Sequence, residues 1–267
     1  MDVIVCVKQV PDYDQVKIAD ETIDPKLRTL VREGIPSILN PFDEYAVEEA
    51  IRIKEQVGGT VTALTMGSSR SKDALIKCLA MGADRSVLLD DEAFRGADTL
   101  ITSLTLAAAI KQQEFDMILC GKQAIDGDTG HVGIMIAECL GIPHINRVRK
   151  LKVNQDKKSV VAHREVDDGL EVVKCPLPAV IIATKGLNEP RYPSITKIMR
   201  ARKKEMVVLS AASLELDPST VGWNGSPTQI INIEKPESRA AGVKVSGDDV
   251  DEAVDQLIKF MEERNLL

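Results

Sequence analysis

From Met1 to Gly141 short, unbroken apolar runs alternate with amphipathic stretches, and this limits the possible folds more than any other feature of the chain. A strand covered by helices on both faces reads as a continuous apolar run, whereas a strand with one wet face alternates with period two. Val3–Val7, Pro36–Leu39, Val61–Met66, Ser86–Leu89 and Phe115–Cys120 are such runs. Between them lie helical patterns. Asn40-Pro41-Phe42-Asp43 predicts a helix start, with Asn as cap, Pro at the first helical position and Asp answering the cap; Val47, Ala50, Ile51 and the stem of Lys54 then share a stripe. Ser71–Met81, Asp98–Gln112 and His131–Leu140 follow, the first and last stopped by Gly82 and Gly141. The expected fold is α/β, a doubly wound and mostly parallel Rossmann-like sheet. Its ligand site belongs at the carboxyl ends of the strands.

Beyond Gly141 the pattern changes. Val148–Lys185 has period two, with Lys150/Lys152 and His163/Glu165 on alternate positions and turns at Asn154–Lys157 and Asp167-Asp168-Gly169, predicting an antiparallel extension over 147–185. Asn188–Ser194 reads as an irregular loop and Ile195–Lys204 as a short helix with a basic face. After Ser213, Pro218, Gly222, Gly225, Pro227, Pro236 and Gly242 punctuate a stretch poor in apolar residues, so the α/β domain is placed at 1–212 and a linker or partner-packed arm at 213–267. The last helix, Asp248–Arg264, gathers Val250, Val254, Leu257, Ile258 and Met261 on one stripe that needs a cover.

Composition removes several function classes. Thirty-four Lys+Arg against forty-one Asp+Glu give a net charge of -7, the wrong sign for a protein that neutralises nucleic-acid phosphates. Apolar stretches such as Leu106–Ile110 fall far short of the ~20 residues of a membrane span. The N-terminus lacks the layout of a signal peptide, and the chain reads as soluble and cytoplasmic. Cys6, Cys78, Cys120, Cys139 and Cys175 form no close pair in sequence, and His131, His144 and His163 are widely separated, so neither a disulfide framework nor a metal site is expected. Redox chemistry would have to be imported.

Gly121-Lys122-Gln123-Ala124-Ile125-Asp126-Gly127-Asp128-Thr129-Gly130-His131-Val132-Gly133 follows a strand and runs into a helix. Glycines let backbone approach a ligand, and unpaired N–H groups at a helix start bind phosphate. The segment matches neither a Walker loop nor GxGxxG, and a tight loop with Thr129 as an ordinary N-cap fits it too. Cys6–Lys8, Asn40–Asp43 and Gly67–Ser71 follow strands on the same edge, so these loops can converge on one crevice. Asp126 and Asp128 fit a ribose or a loop amide better than a bare triphosphate.

Val5-Cys-Val-Lys-Gln-Val-Pro-Asp-Tyr13, Asn40-Pro-Phe-Asp43, Ala80-Met-Gly-Ala-Asp-Arg85, Gly121-Lys-Gln-Ala-Ile-Asp126, His163-Arg-Glu-Val-Asp-Asp-Gly169 and Asn188-Glu-Pro-Arg-Tyr192 together resemble the beta subunit of electron transfer flavoproteins, in matching order to about Lys204. The resemblance implies an alpha-subunit partner carrying a redox FAD, and a nucleotide on the beta subunit held by Cys6, Asn40, Pro41, Phe42, Asp43, Ser71 and Gly121–Val132. In the housekeeping type that nucleotide is a structural AMP; in the electron-bifurcating type it is a second FAD that accepts hydride from NADH. The AMP type resembles Asp-Asp-x-Asn-Gln-Thr where this chain has Gly127-Asp-Thr-Gly-His-Val132, and the smaller residues favour FAD.

By the same resemblance, NADH is the reductant, ferredoxin or flavodoxin takes one electron, and a flavin-dependent dehydrogenase takes the other through the alpha subunit. No side chain need be catalytic. Tyr13 would face the alpha FAD and Glu165 would hold the alpha domain, while Leu187, Asn188, Glu189, Pro190, Arg191, Tyr192, Ile195 and Met199 would dock the dehydrogenase. Plain alternatives stand beside these roles: Tyr13 as a half-buried aromatic, Glu165 as a solvated strand charge, Ile195 as ordinary core. A free-standing nucleotide-binding module is a further alternative, against which the ordered motifs and the arm argue.

Overall fold

A computed structural model of the chain describes residues 1–15, 23–24, 29–30, 35–234, 242, 244 and 249–267. The elements of the α/β core are β1 (Val3–Cys6), α1 (Pro41–Val57), β6 (Val61–Met66), α2 (Lys72–Met81), β7 (Arg85–Leu89), α3 (Thr99–Lys111), β8 (Met117–Gly121) and α4 (Val132–Leu140). Between β1 and α1 lie the short strands β2 (Gln9–Pro11), β3 (Ile23–Asp24), β4 (Thr29–Leu30) and β5 (Ser37–Leu39). After α4 come β9 (His144–Val153), β10 (Ser159–Val166), β11 (Gly169–Pro176), β12 (Ala179–Ala183), α5 (Ile195–Ala201), β13 (Val207–Leu209), the one-turn α6 (Gly222–Gly225) and α7 (Val250–Glu262).

Nine strands form the main sheet in the order β11-β10-β9-β12-β8-β1-β6-β7-β13, parallel from β9 to β13. Its strands are unbroken apolar runs because both faces are covered. Val3, Val5, Val61, Ala63, Met117 and Leu119 meet Val47, Ala50 and Ile51 of α1 and Ala74, Leu75 and Cys78 of α2 in one core layer. The alternate residues Ile4, Cys6, Leu64, Ile118 and Cys120 meet Ile101, Leu106 and Ile110 of α3 and Ile136 and Ala137 of α4 in the other. The stripe expected on α1 is therefore the buried one. The order in which strands are added reverses about β1: β6 and β7 extend the sheet to one side, β8 and β12 to the other. The crevice of a doubly wound sheet lies at that reversal, outside the carboxyl ends of β1 and β8.

Two sequence expectations need correcting. The run Pro36–Leu39 is not a strand of the main sheet: β5 pairs antiparallel with β2, Gln9 opposite Leu39, in a separate two-stranded ribbon. That ribbon returns the chain to its starting level, where Asn40 N–H donates to the Lys8 carbonyl at 2.9 Å. Nor is 147–185 wholly antiparallel. β9, β10 and β11 form the expected antiparallel meander, but β12 inserts between β9 and β8 as a fully buried parallel strand.

The chain divides into two compact units, Met1–Ile231 and Asn232–Leu267. Ser213–Ile231 belongs to the first, held at the start of α3: Asp98 N–H donates to Ser226 Oγ (2.8 Å), Thr228 N–H to Asp98 Oδ2 (3.0 Å) and Trp223 N–H to the Arg95 carbonyl (2.7 Å). In the second unit α7 forms the expected stripe, and its Val250, Val254, Leu257 and Ile258 are exposed. Expectations falling on residues 16–22, 25–28, 31–34, 235–241, 243 and 245–248 lie outside the described residues. No described helix is long and apolar enough to cross a membrane.

Candidate functional site

Three segments far apart in sequence are tied together at the carboxyl ends of β1 and β8. The buried Asp43 carboxylate, in the first turn of α1, accepts from Lys8 N–H at 2.7 Å and from Gly121 N–H. Burial pushes its pKa up to about 7, against the opposing pull of Asn40, these two N–H groups and the Lys8 charge. Asn40 does not cap α1 with its side chain, contrary to the sequence expectation. Its Nδ2 donates to the Gln123 carbonyl (2.9 Å) and its Oδ1 accepts from Ile125 N–H (3.2 Å), so the amide holds the β8 loop instead. Asp43 likewise takes the N–H groups of Lys8 and Gly121 and not the backbone N–H of the cap, which goes to the Lys8 carbonyl.

Gly121 has a steric reason to be glycine: a Cβ there would collide with the Asp43 carboxylate and the Phe42 backbone. Gly133 packs α4 onto the sheet, where a Cβ would stand 3.1 Å from Ile182 Cγ1 and 3.2 Å from Cys120 Cβ. Gly127 has no such reason. A Cβ on it meets nothing within 4 Å, and its φ is not of the kind that side chains avoid. Around it the loop is pinned by Lys8 Nζ to Asp126 Oδ1 (2.7 Å), by Asp128 N–H to the Ala124 carbonyl (2.8 Å) and by Gln123 Nε2 to Asp128 Oδ1. Asp128 (φ 54) and Gly130 (φ 64) turn the chain into α4. Thr129 does not cap α4; the N-cap position is His131, with no side-chain capping bond, so no side chain caps the first-turn N–H groups.

The other predicted cleft residues border the same edge. Cys6 ends β1 directly beside Cys120, and hydrogen bonding to Cys6 together with burial pushes the Cys120 thiol well up. Thr65 Oγ1 donates to the Val7 carbonyl (2.7 Å), fixing the end of β6 against β1. Gly67 faces the buried Ser71, whose hydroxyl a Cβ would strike. Pro41 is exposed at the helix start, and Lys122 Nζ stands 6.0 Å from the half-buried Phe42 ring. A small cavity of about 80 Å³ beside Gly67 and Ser68 continues this edge. A larger one of about 410 Å³, lined by Asp2, Thr60, Arg85 and Gln112, opens at the amino ends of the strands, the wrong end for a ligand of this architecture.

Away from the cleft, the 187–199 segment divides by direction. Asn188 Nδ2 donates to the Tyr45 carbonyl (3.0 Å) and Glu49 Oε2 (2.9 Å). Arg191 grips α1 through Nε to Glu48 Oε2 (2.8 Å) and Nη1 to Glu55 Oε1 (2.6 Å). Burial works to raise the Glu48 pKa, but Arg191 and Arg52 hold it below the usual range; burial raises that of Glu49. Tyr192, Ile195 and Met199 point outward, at 94%, 81% and 52% exposure, so Ile195 is not core. Leu187 packs against the first core layer, and Glu189 and Pro190 lie between the two anchors. Glu165 pairs with Arg149 (3.2 Å), and Tyr13 is half-buried just after β2. Among the described residues no His, Cys, Asp and Glu cluster could hold a metal. The Cys6–Cys120 adjacency, the Asp43 tie and the Lys8–Asp126 pair escaped the sequence reading; only the register of β1 on β8 exposes them.

Residues 28–214 match the family model of the electron transfer flavoprotein domain. The chain is 45% identical over 268 residues, covering 100% of both chains, to the electron transfer flavoprotein subunit beta of Thermoanaerobacterium thermosaccharolyticum. It is 43% identical over 269 residues, again covering 100% of both, to the caffeyl-CoA reductase-Etf complex subunit CarD of Acetobacterium woodii. Similarity at 37% identity, over 89% of this chain and 85% of the relative, extends to protein FixA of Azotobacter vinelandii.

Proposed function

The chain belongs to the electron transfer flavoprotein family as a beta subunit, and from that premise we propose that its crevice holds FAD, not AMP, and serves electron bifurcation from NADH. The observation that carries this reading is Gly127, a residue that the chain's own packing leaves free to be larger, in a loop leading to the start of α4. A glycine in open space beside a helix start leaves room for a diphosphate and what lies beyond it. When bound, flavin supplies hydride acceptance and one-electron release, chemistry that no side chain here provides.

The residues do the holding. Asn40 and Asp43 fix the β8 loop against α1, the α4 start offers N–H groups to phosphate, and Gly127 and Gly130 keep backbone close to the ligand. In the proposed reaction NADH delivers two electrons as hydride and leaves as NAD. The FAD held there would let one electron pass to ferredoxin or flavodoxin and the other, by way of an alpha-subunit FAD, to a flavin-dependent dehydrogenase. The relative named for a caffeyl-CoA reductase complex supports an enoyl-CoA or acyl-CoA type for that enzyme. Tyr192, Ile195 and Met199, outward on a segment anchored by Arg191, are proposed to meet it, and the α7 stripe to pack on the alpha subunit. Glu165 and Tyr13 are placed at the alpha-subunit boundary, and the complex in the cytoplasm.

The test is to purify the alpha–beta complex, release its nucleotides with acid and count them. Two FAD and no AMP per heterodimer is the expected result. One FAD and one AMP would make the chain the structural half of an ordinary electron carrier and refute the argument from Gly127.

A further inference from the structure

Strand β9 is irregular twice where the sheet changes from parallel to antiparallel. Against β12, Ile145 pairs with Ile181 and Val148 with Ala183, so Asn146 and Arg147 share the interval that Ile182 fills alone. Against β10 the register slips again, between His163 opposite Lys150 and Arg164 opposite Val148. Arg147 takes φ 59. A bulge position in the left-handed region suits glycine, and an arginine there costs about 1 kcal/mol or more of strain. Strain held at a non-glycine residue points to a site.

A second observation is independent of the backbone. Of four buried side-chain polar atoms without a hydrogen-bond partner among the described residues, two belong to this bulge: Asn146 Oδ1 and Arg147 Nε. Each such orphan costs roughly 1–3 kcal/mol unless something fills it. The rest of the Arg147 guanidinium is loosely held, with Nη1 3.7 Å from the exposed Asp167. Register then gives the place. Val148 is level with Ala183, and Ala183 with Gly121, so the bulge lies on the same carboxyl edge as the crevice. Two strand spacings, about 10 Å, separate it from β8, and α4 packs on both β12 and β9.

An acceptor and a charged donor on consecutive residues of one bulge match an edge that carries N–H beside C=O. The imide edge of a flavin is such an edge, and its carbonyl side gathers negative charge on reduction. We propose that Asn146 and Arg147 are the binding site for the imide edge of the flavin half of FAD, Asn146 Oδ1 accepting its N–H and Arg147 donating to its carbonyl. This rests on the reading that the nucleotide is FAD. An adenine edge also pairs a donor with an acceptor, and AMP distinguishes the two sources.

The test uses the purified alpha–beta complex as wild type, Arg147→Gly and Asn146→Leu. Arg147→Gly removes the guanidinium and relieves the left-handed strain, so the fold survives it. After bound nucleotides are counted, the affinity of the beta site for FAD and for AMP is measured by titration. Each variant is expected to weaken FAD at least tenfold and leave AMP unchanged, and Arg147→Gly to make that flavin harder to reduce. AMP weakened equally would reassign the pair to adenine and overturn the flavin assignment. Unchanged FAD affinity in a wild-type complex that holds two FAD overturns this inference alone, and so does weaker subunit association with flavin binding intact. A wild-type complex with one FAD and one AMP overturns it together with the reading it rests on.

Discussion

Removing the Arg191 side chain tests whether an ion-pair clamp fixes the outward-facing segment. Glu48 is 3% exposed and receives Arg191 Nε at 2.8 Å, while Arg191 is 30% exposed. At that depth a close pair is worth between the roughly 1 kcal/mol of water and the roughly 4 kcal/mol of a partly screened interior. Glu55 is 52% exposed and adds little. Arg52 still reaches Glu48 at 2.8 Å after the substitution, so the buried carboxylate is not left bare. Arg191→Met should therefore cost about 1–3 kcal/mol. A double-mutant cycle with Glu48→Gln, read by denaturant unfolding of the alpha–beta complex, should give a coupling of about 1–2 kcal/mol. The Glu48 pKa is lowered in the fold, so its stabilisation is present above the ordinary glutamate value of 4.5 and is lost as pH falls below it. The coupling should thus hold at pH 7 and weaken as pH falls below 4.5. Electron transfer to the dehydrogenase should fall with flavin content unchanged. Additive single mutants at pH 7, or a coupling indifferent to acid, would refute the reasoning.

Gly127→Gln adds a side chain where the chain leaves open space, so thermal stability should change by less than about 1 kcal/mol. FAD in the beta site should nevertheless fall at least tenfold; unchanged FAD would show that the glycine makes no room for it. Ile195→Asp places a charge on an 81% exposed apolar tip, so the fold and the flavin count should be untouched while transfer to the dehydrogenase is blocked. Lost flavin would sink the docking assignment.

The parallel core was legible because burial on both faces leaves a simple trace: β1 and β6 carry unbroken apolar runs, and their alternate residues divide between two core layers. β12 carries the same trace in Ala179–Ala183, but the period-two segments before it drew the whole region into an antiparallel reading. β5 failed for the opposite reason, since a three-residue run has too little length to say which sheet it joins. Within the site the loops were legible from their place after strands. What holds them was not. Asn40 reads locally as a cap, yet its amide is used 83 residues away, on Gln123. Asp43 and Lys8, or Lys8 and Asp126, obey no spacing rule, because the contact exists only once β1, α1 and β8 share an edge. Arg147 is the extreme case, since nothing in its neighbourhood announces a left-handed arginine.

Helix α1 joins the two halves of this picture, its first turn fixing the β8 loop and its later turns carrying Glu48, Glu49 and Glu55, which hold Asn188 and Arg191. Asp43 is the keystone of the first turn, and its charge is costly. Its pKa rises from the ordinary 3.8 to about 7 because burial outweighs the Asn40 side chain and the N–H groups of Lys8 and Gly121. A raised carboxyl pKa means that stability is fully present below about pH 4, where the group is neutral folded and unfolded, and declines as pH rises through 7. The slope is about 1.4 kcal/mol per pH unit, to a total on the order of 4 kcal/mol. Asp43→Asn cannot ionise and removes this slope. It also loses one of two acceptor bonds, since an amide offers one oxygen to two N–H groups, at about 1 kcal/mol. The variant should therefore be slightly less stable than wild type at pH 4 and clearly more stable at pH 8, as measured by unfolding of the complex across that range. A difference that stays constant with pH would mean that Asp43 is ionised throughout, held by its two N–H donors and Lys8 against its burial.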